Sequence, residues 1–206
     1  MQINIDRKTG VLLGVIVLLA AAVVSLSINR GDRSNHSDMG QMSGHMGHGS
    51  SISGNAKYTG ADIMFLQMMI PHHQQAIDIS KLAMTSSQDT ELIELAKIIA
   101  RDQAAEIKQM KAWLKDAGAS EDMGHAMHDM GGMLNDDELA ALGAATGKEF
   151  DILWLKGMTE HHDGAIHMTQ MIEDARNAEI KAFGTKVIKD QSKQIDQMKK
   201  MLARIA

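Results

Sequence analysis

The chain repeats itself, and this limits its fold more than any other feature. Residues 62–79 align with residues 151–168 at an offset of 89, and eight of these 18 positions are identical. Average composition would give about one. Residues 99–114 align with residues 187–202 at an offset of 88, with seven of 16 identical, including Asp102-Gln103 against Asp190-Gln191. In each copy apolar residues recur at spacings of three and four, the period of a helix with one buried face. Each copy therefore reads as a helical hairpin with one apolar stripe. Two such hairpins bury their stripes by packing together, which predicts an all-α four-helix bundle.

Local signals place the helices. Thr59-Gly-Ala-Asp62 is a capping box opening a helix to about Ser86. A second helix is predicted from about Asp89 to Ala117, with Gly118 as its stop. Asn135-Asp-Asp-Glu138 opens a short helix. Thr146-Gly-Lys-Glu149 opens a long one to about Arg176. A last helix starts at Ala178, with Asn177 as its cap.

The sequence outside the repeats is of two kinds. Residues 11–28 run VLLGVIVLLAAAVVSLSI without a charge. At 1.5 Å per residue they span roughly 27 Å, close to the ~30 Å hydrocarbon layer. Residues 1–30 are therefore expected to be a signal anchor, a transmembrane helix that leaves the following domain outside the cytoplasm. Cleavage after Ser25 to Ser27, giving a secreted protein, is the alternative. Residues 31–58 are rich in Gly, Ser, His and Met and read as a flexible linker. The bundle is expected over 59–206, interrupted by a second Gly/Met/His loop at 119–134.

Composition adds two constraints. The chain has no cysteine and 18 methionines, so no thiolate site or disulfide is available, while thioether sulfur is plentiful. The net charge of −5 disfavours a nucleic-acid surface.

The core stripe of the first repeat is Leu66, Met69, His73, Ala76, Ser80, Ala83. That of the second is Leu155, Met158, His162, Ala165, Thr169, Ile172. A histidine occupies the same core position in both, one turn after a methionine. His72 and His161 stand about 100° round the helix from their neighbours. Asp102-Gln103 and Asp190-Gln191 interrupt the stripes of the partner helices, and Glu106 follows one turn later. The candidate metal ligands are thus Met69, His72, His73, Met158, His161 and His162, backed by Asp102, Glu106 and Asp190. Buried polar groups at matching depth must satisfy one another or bind something. The plain structural alternative is a His–Asp hydrogen-bond network.

Imidazole and thioether without thiolate form a soft-to-borderline set that favours Cu(I), with Cu(II) able to use the imidazoles. A di-iron bundle would carry Glu-x-x-His, and no glutamate stands three residues before any histidine. The loose segments are also candidates, through Met42, His45, Met46 and His48 in the linker and Met123, His125, Met127, His128 and Met130 in the loop. Exposed methionine gives a linker no advantage, whereas a flexible chain of Met and His can wrap Cu(I).

The run Phe65-Leu-Gln-Met-Met-Ile-Pro-His-His-Gln-Gln-Ala-Ile-Asp78, with Asp102-Gln-Ala-Ala-Glu-Ile-Lys-Gln-Met-Lys-Ala-Trp-Leu114, resembles the signature of the ferritin-like "domain of unknown function 305" family. The resemblance covers about residues 58–206. It implies an exported helical bundle, some of whose relatives are associated with copper binding and resistance. It carries over to Met69, His72, His73 and to Met158, His161, His162. The second copy departs from the signature at Glu160, Asp163 and Gly164. The expected function is extracytoplasmic copper sequestration or delivery, without catalysis. The alternatives are a ferritin-like metal-dependent oxidase and a helical interaction module without metal. The expected partners are copper ions, the membrane through the N-terminal helix, and a second copy or a copper-transport protein.

Overall fold

A computed structural model describes residues 57–122 and 131–205. The expected anchor and the Met/His sites at 42–48 and 123–130 lie outside the described residues. Among the described residues no helix is long and apolar enough to cross a membrane.

The described chain is all helical. Helix α1 is Gly60–Ser86, α2 Thr90–Ala117, α3 Asp136–Ala144, α4 Gly147–Met168 and α5 Ala178–Ile205. The start signals place the helices as the sequence implies, although Thr146, at the start of α4, makes no side-chain cap bond. Thr59 and Asp62 exchange reciprocal bonds at 3.1 and 2.7 Å, Asn135 and Glu138 do the same, and Asp89 caps α2. Gly118 ends α2 with φ +68°, a left-handed conformation that glycine adopts without a Cβ penalty. Asn177 accepts from the amide of Glu179 at 2.9 Å.

One boundary differs from expectation. Helix α4 does not reach Arg176; it stops at Met168 and tightens into a 3-10 turn, Thr169–Ile172. Thr169 bonds through its hydroxyl to the carbonyl of Ile166 at 2.7 Å, a local bond that competes with regular helix. The expected linkers are also partly docked. Tyr58 is buried and donates to Asp116 at 2.6 Å, and Leu134 is buried against Gly157. Each brings an apolar group whose burial offsets the cost of ordering the backbone.

The four long helices form two hairpins, α1–α2 and α4–α5, joined mainly through α1 and α4. Their apolar residues divide into two clusters. One joins the second half of α1 and first half of α2 (Ala76, Ile79, Leu92, Leu95, Ile99) to Trp154, Leu155, Met158, Ile195 and Met198. The other joins Phe65, Leu66, Met69, Met110 and Leu114 to Ala165, Met168, Ile180, Phe183 and Val187. Helices α1 and α4 therefore run antiparallel. Full burial of such side chains stabilises by about 1.5–3 kcal/mol each before cavity terms. Trp154 also crosses between hairpins, donating from Nε1 to the carbonyl of Ile79 at 3.1 Å. Along the helices, His72, His73, Gln103, Glu106, His161, His162, Gln191 and Gln194 fall between the two clusters. This polar layer is where the candidate site lies.

Candidate metal centre

Each histidine of the layer is fully buried. Their placement follows from helical pitch. Position 73 lies on the α1 stripe and position 72 lies 100° away, toward α4. His72 thus meets its repeat equivalent, His161, with ring centroids 3.8 Å apart and planes inclined at 37°. His161 and His162 rings are 6.2 Å apart.

Every ring uses the same nitrogen for its protein bond. His73 Nε2 lies 2.8 Å from Glu106 Oε2, and His162 Nε2 lies 2.8 Å from Gln194 Oε1. His161 Nε2 lies 3.0 Å from the carbonyl of His72, and His72 Nε2 lies 3.4 Å from the carbonyl of Gly131. The partner atoms are all acceptors, so Nε2 is assigned as the N–H nitrogen in each ring. The four Nδ1 atoms are buried and have no hydrogen-bond partner in the protein. In a neutral ring each Nδ1 then carries a free lone pair. An imidazole that donates one N–H to a carbonyl or carboxylate and keeps its other nitrogen bare is oriented as a metal ligand is.

Burial favours the neutral form of three of these rings, His72, His161 and His162. Burial pulls the His72 pKa down to about 3, helped by the neighbouring His73. Burial pulls His162 down to about 4 against the opposing bond to Gln194. His161 is lowered well below the ordinary histidine range by burial, then by His72. Burial pushes the Glu106 carboxyl up, but His73 and Lys186 outweigh it and hold the pKa below the usual carboxylate value. Glu106 is thereby an ionised carboxylate with one oxygen on His73 and the other 2.7 Å from Lys186 Nζ.

Of the three candidate carboxylates, Glu106 reaches a histidine of the layer, whereas Asp102 and Asp190 pair with surface cations. Asp102 faces outward and pairs with Arg101 at 2.7 Å, and Asp190 pairs with Lys186 at 3.0 Å. The buried stripe runs through Ile99, Gln103 and Met110 on α2, and through Val187, Gln191 and Met198 on α5. Gln103 and Gln191 therefore turn inward, and the residue before each turns out by 100°. Both buried amides lack protein partners. The sequence marked these dipeptides as breaks in the stripe; counting the three-and-four spacing from Ile99 would have picked Gln103. Gln194 went unselected because it is not a charged group.

Met69 and Met158 are fully buried, one in each apolar cluster, one turn before His73 and His162. Among the described residues no three His, Asp or Glu side chains converge as a cation site on their own. Among the described residues, the donors that could add to imidazole in this layer are thioether sulfur and amide oxygen. That donor set suits a soft ion of low coordination number. The oxidase alternative asked for bridging carboxylates, and two of its three candidates face away from the layer.

The chain matches the family model described as "Domain of unknown function (DUF305)" over residues 62–202. No curated protein matches it. It is similar to the crystal structure of a putative secreted DUF305 protein from Streptomyces coelicolor, at 30% identity over 70% of this chain and 93% of that one, with a TM-score of 0.67. It is similar to a DUF305 fragment from Deinococcus radiodurans at 29% identity, over 71% of this chain and 98% of that one, with a TM-score of 0.66. It is also similar to CopM in its Cu(I)-bound form, at 32% identity over 69% of this chain and 96% of that one, with a TM-score of 0.59.

Proposed function

We propose, from the premise that this chain belongs to the DUF305 family, that it is an extracytoplasmic copper-binding protein which sequesters or delivers the metal. Its ligands are His72, His73, His161 and His162 through Nδ1, with Met69 and Met158. The single observation that carries this reading is the set of four buried imidazoles, each donating from Nε2 and each leaving Nδ1 without a protein partner. A purely structural network would satisfy both nitrogens, because an unpaired buried polar atom costs about 1–3 kcal/mol.

Two further facts support it. CopM, at similar fold and about one third identity, has been solved with Cu(I), with Cu(II) and with silver. Silver is a soft monovalent ion like Cu(I), which fits a thioether and imidazole set. The relative described as secreted supports a domain outside the cytoplasm; a tether through the apolar run at residues 11–28 is part of the proposal. The Met/His segments at 42–48 and 123–130 serve as weaker, rapidly exchanging sites.

The test is Cu(I) titration against a competing chelator, using the full chain in detergent micelles. His73→Ala/His162→Ala is compared with wild type. The expected result is loss of the tightest sites with weak binding retained. Unchanged stoichiometry and affinity would remove the bundle histidines as ligands.

A further inference from the structure

Residues 131–134 form a short strap across the seam between α1 and α4. The carbonyl of Gly131 accepts the Nε2–H of His72. Gln75 holds the other end twice: its amide donates to the carbonyl of Leu134 at 2.8 Å and its oxygen accepts from the amide of Leu134 at 2.9 Å. On the α4 side the strap lies so close that no side chain fits. A Cβ on Gly132, which has φ +85°, would stand 2.5 Å from the Glu160 carbonyl, and a Cβ on Gly164 would collide with the Gly131 carbonyl. Gln75 and Gly164 are repeat equivalents at the offset of 89. One copy supplies the residue that grips the strap, and the other supplies the residue that makes room for it. A strap lying over the seam of two similar hairpins can be gripped by one of them only if the other steps back, so the loss of symmetry at Gly164 has a structural purpose.

We infer that Gln75 is a positioning residue whose grip on the Gly131–Leu134 strap sets the orientation of His72 and controls passage of a soft metal ion to the stacked His72–His161 pair. This rests on reading the polar layer as a metal site. With both Gln75 bonds made, the strap covers the seam at the level of two rings that have no solvent exposure. When they part, the Gly131 carbonyl leaves His72, the ring loses its orienting partner, and the seam opens at that point. Among the described residues the wall along α1 and α4 is otherwise regular helix, whereas the strap is held to α1 by a few side-chain bonds.

The experiment uses the full chain in detergent micelles and silver ion as the probe. Stopped-flow uptake, and release to a chelator, are measured for wild type, Gln75→Leu, Gln75→Glu and a control, Gln74→Leu, whose side chain is exposed and bonds Asp78. Hydrogen exchange of the Leu134 amide is followed in the metal-free protein. Gln75→Leu is expected to exchange Leu134 and to load and release silver at least about tenfold faster, with stoichiometry unchanged. Gln75→Glu keeps the acceptor for the Leu134 amide and falls between the two, which covers the case that Gln75→Leu folds poorly. Gln74→Leu behaves as wild type. Faster Leu134 exchange with silver rates within twofold of wild type would overturn the inference and leave the metal reading standing. Unchanged Leu134 exchange would overturn the grip itself. Wild-type protein that takes up no silver would overturn the metal reading, a result separable from the others because the exchange measurement needs no metal.

Discussion

His72 and His161 stack across the hairpin interface with ring centroids 3.8 Å apart, and His161 donates from Nε2 to the backbone carbonyl of His72. One ring comes from each repeat, so the two hairpins meet through their own histidines. Two imidazolium rings could not share this space without solvent. The contact therefore requires neutral rings, and neutral rings are also what a metal ion requires.

Acid should loosen the metal-free bundle. His72, His161 and His162 all have folded pKa values below the ordinary 6.5, with His72 at about 3 and His162 at about 4. Between 6.5 and these values the unfolded chain binds protons that the folded chain refuses. Their contribution to stability is thus fully present above pH 6.5 and is lost as pH falls toward 4 and then 3, at up to about 1.4 kcal/mol per pH unit for each group. Denaturant midpoints at pH 7.5, 6 and 5 should fall in that order. A midpoint that is flat over this range would mean the rings are not buried in neutral form.

The two half-sites should differ in strength. His73 leans on the carboxylate Glu106, while His162 leans on the amide of Gln194. A carboxylate partner makes the imidazole more basic and a stronger donor. Glu106→Gln should weaken one class of Cu(I) site by about tenfold or more, within the 10–100-fold typical of such partners. Gln194→Glu should strengthen the other class. Competition titration of both variants checks this, and equal binding in all three proteins would contradict it.

Replacing the core sulfurs separates packing from ligation. Met69 and Met158 are fully buried, and leucine has similar volume. Met69→Leu/Met158→Leu should cost less than about 1.5 kcal/mol per site in stability. Silver affinity should nonetheless drop clearly. Unchanged silver binding in this folded variant would show that the thioethers serve only as core filling.

Trp154 should act as the main tie between hairpins near the second half of α1. It is fully buried and bonds the carbonyl of Ile79. Trp154→Phe removes the donor and leaves space, which should lower stability by about 1–3 kcal/mol. Urea unfolding with an unchanged slope would report it as a loss of native stability alone.

Much of the fold was legible because it rests on local rules. The caps at Thr59, Asn135 and Asn177 and the stop at Gly118 satisfy helix-end groups within a few residues of themselves, so neighbours in the chain suffice to read them. The three-and-four spacing likewise picked out Met69, His73, Met158 and His162 as core positions, because a helix holds that period wherever it packs.

The sequence by itself determined a duplicated helical hairpin with histidine and methionine at matching depth. Only the tertiary structure decided which nitrogen of each ring is free, that Gln103 and Gln191 face inward while Asp102 and Asp190 face solvent, and that Gly164 yields to the Gly131–Leu134 strap. The reason is physical. Helical period is a property of consecutive residues, whereas the partner of a ring nitrogen, the side of a stripe that meets another helix, and the approach of a strap to a glycine depend on where segments distant in the chain come to rest against one another.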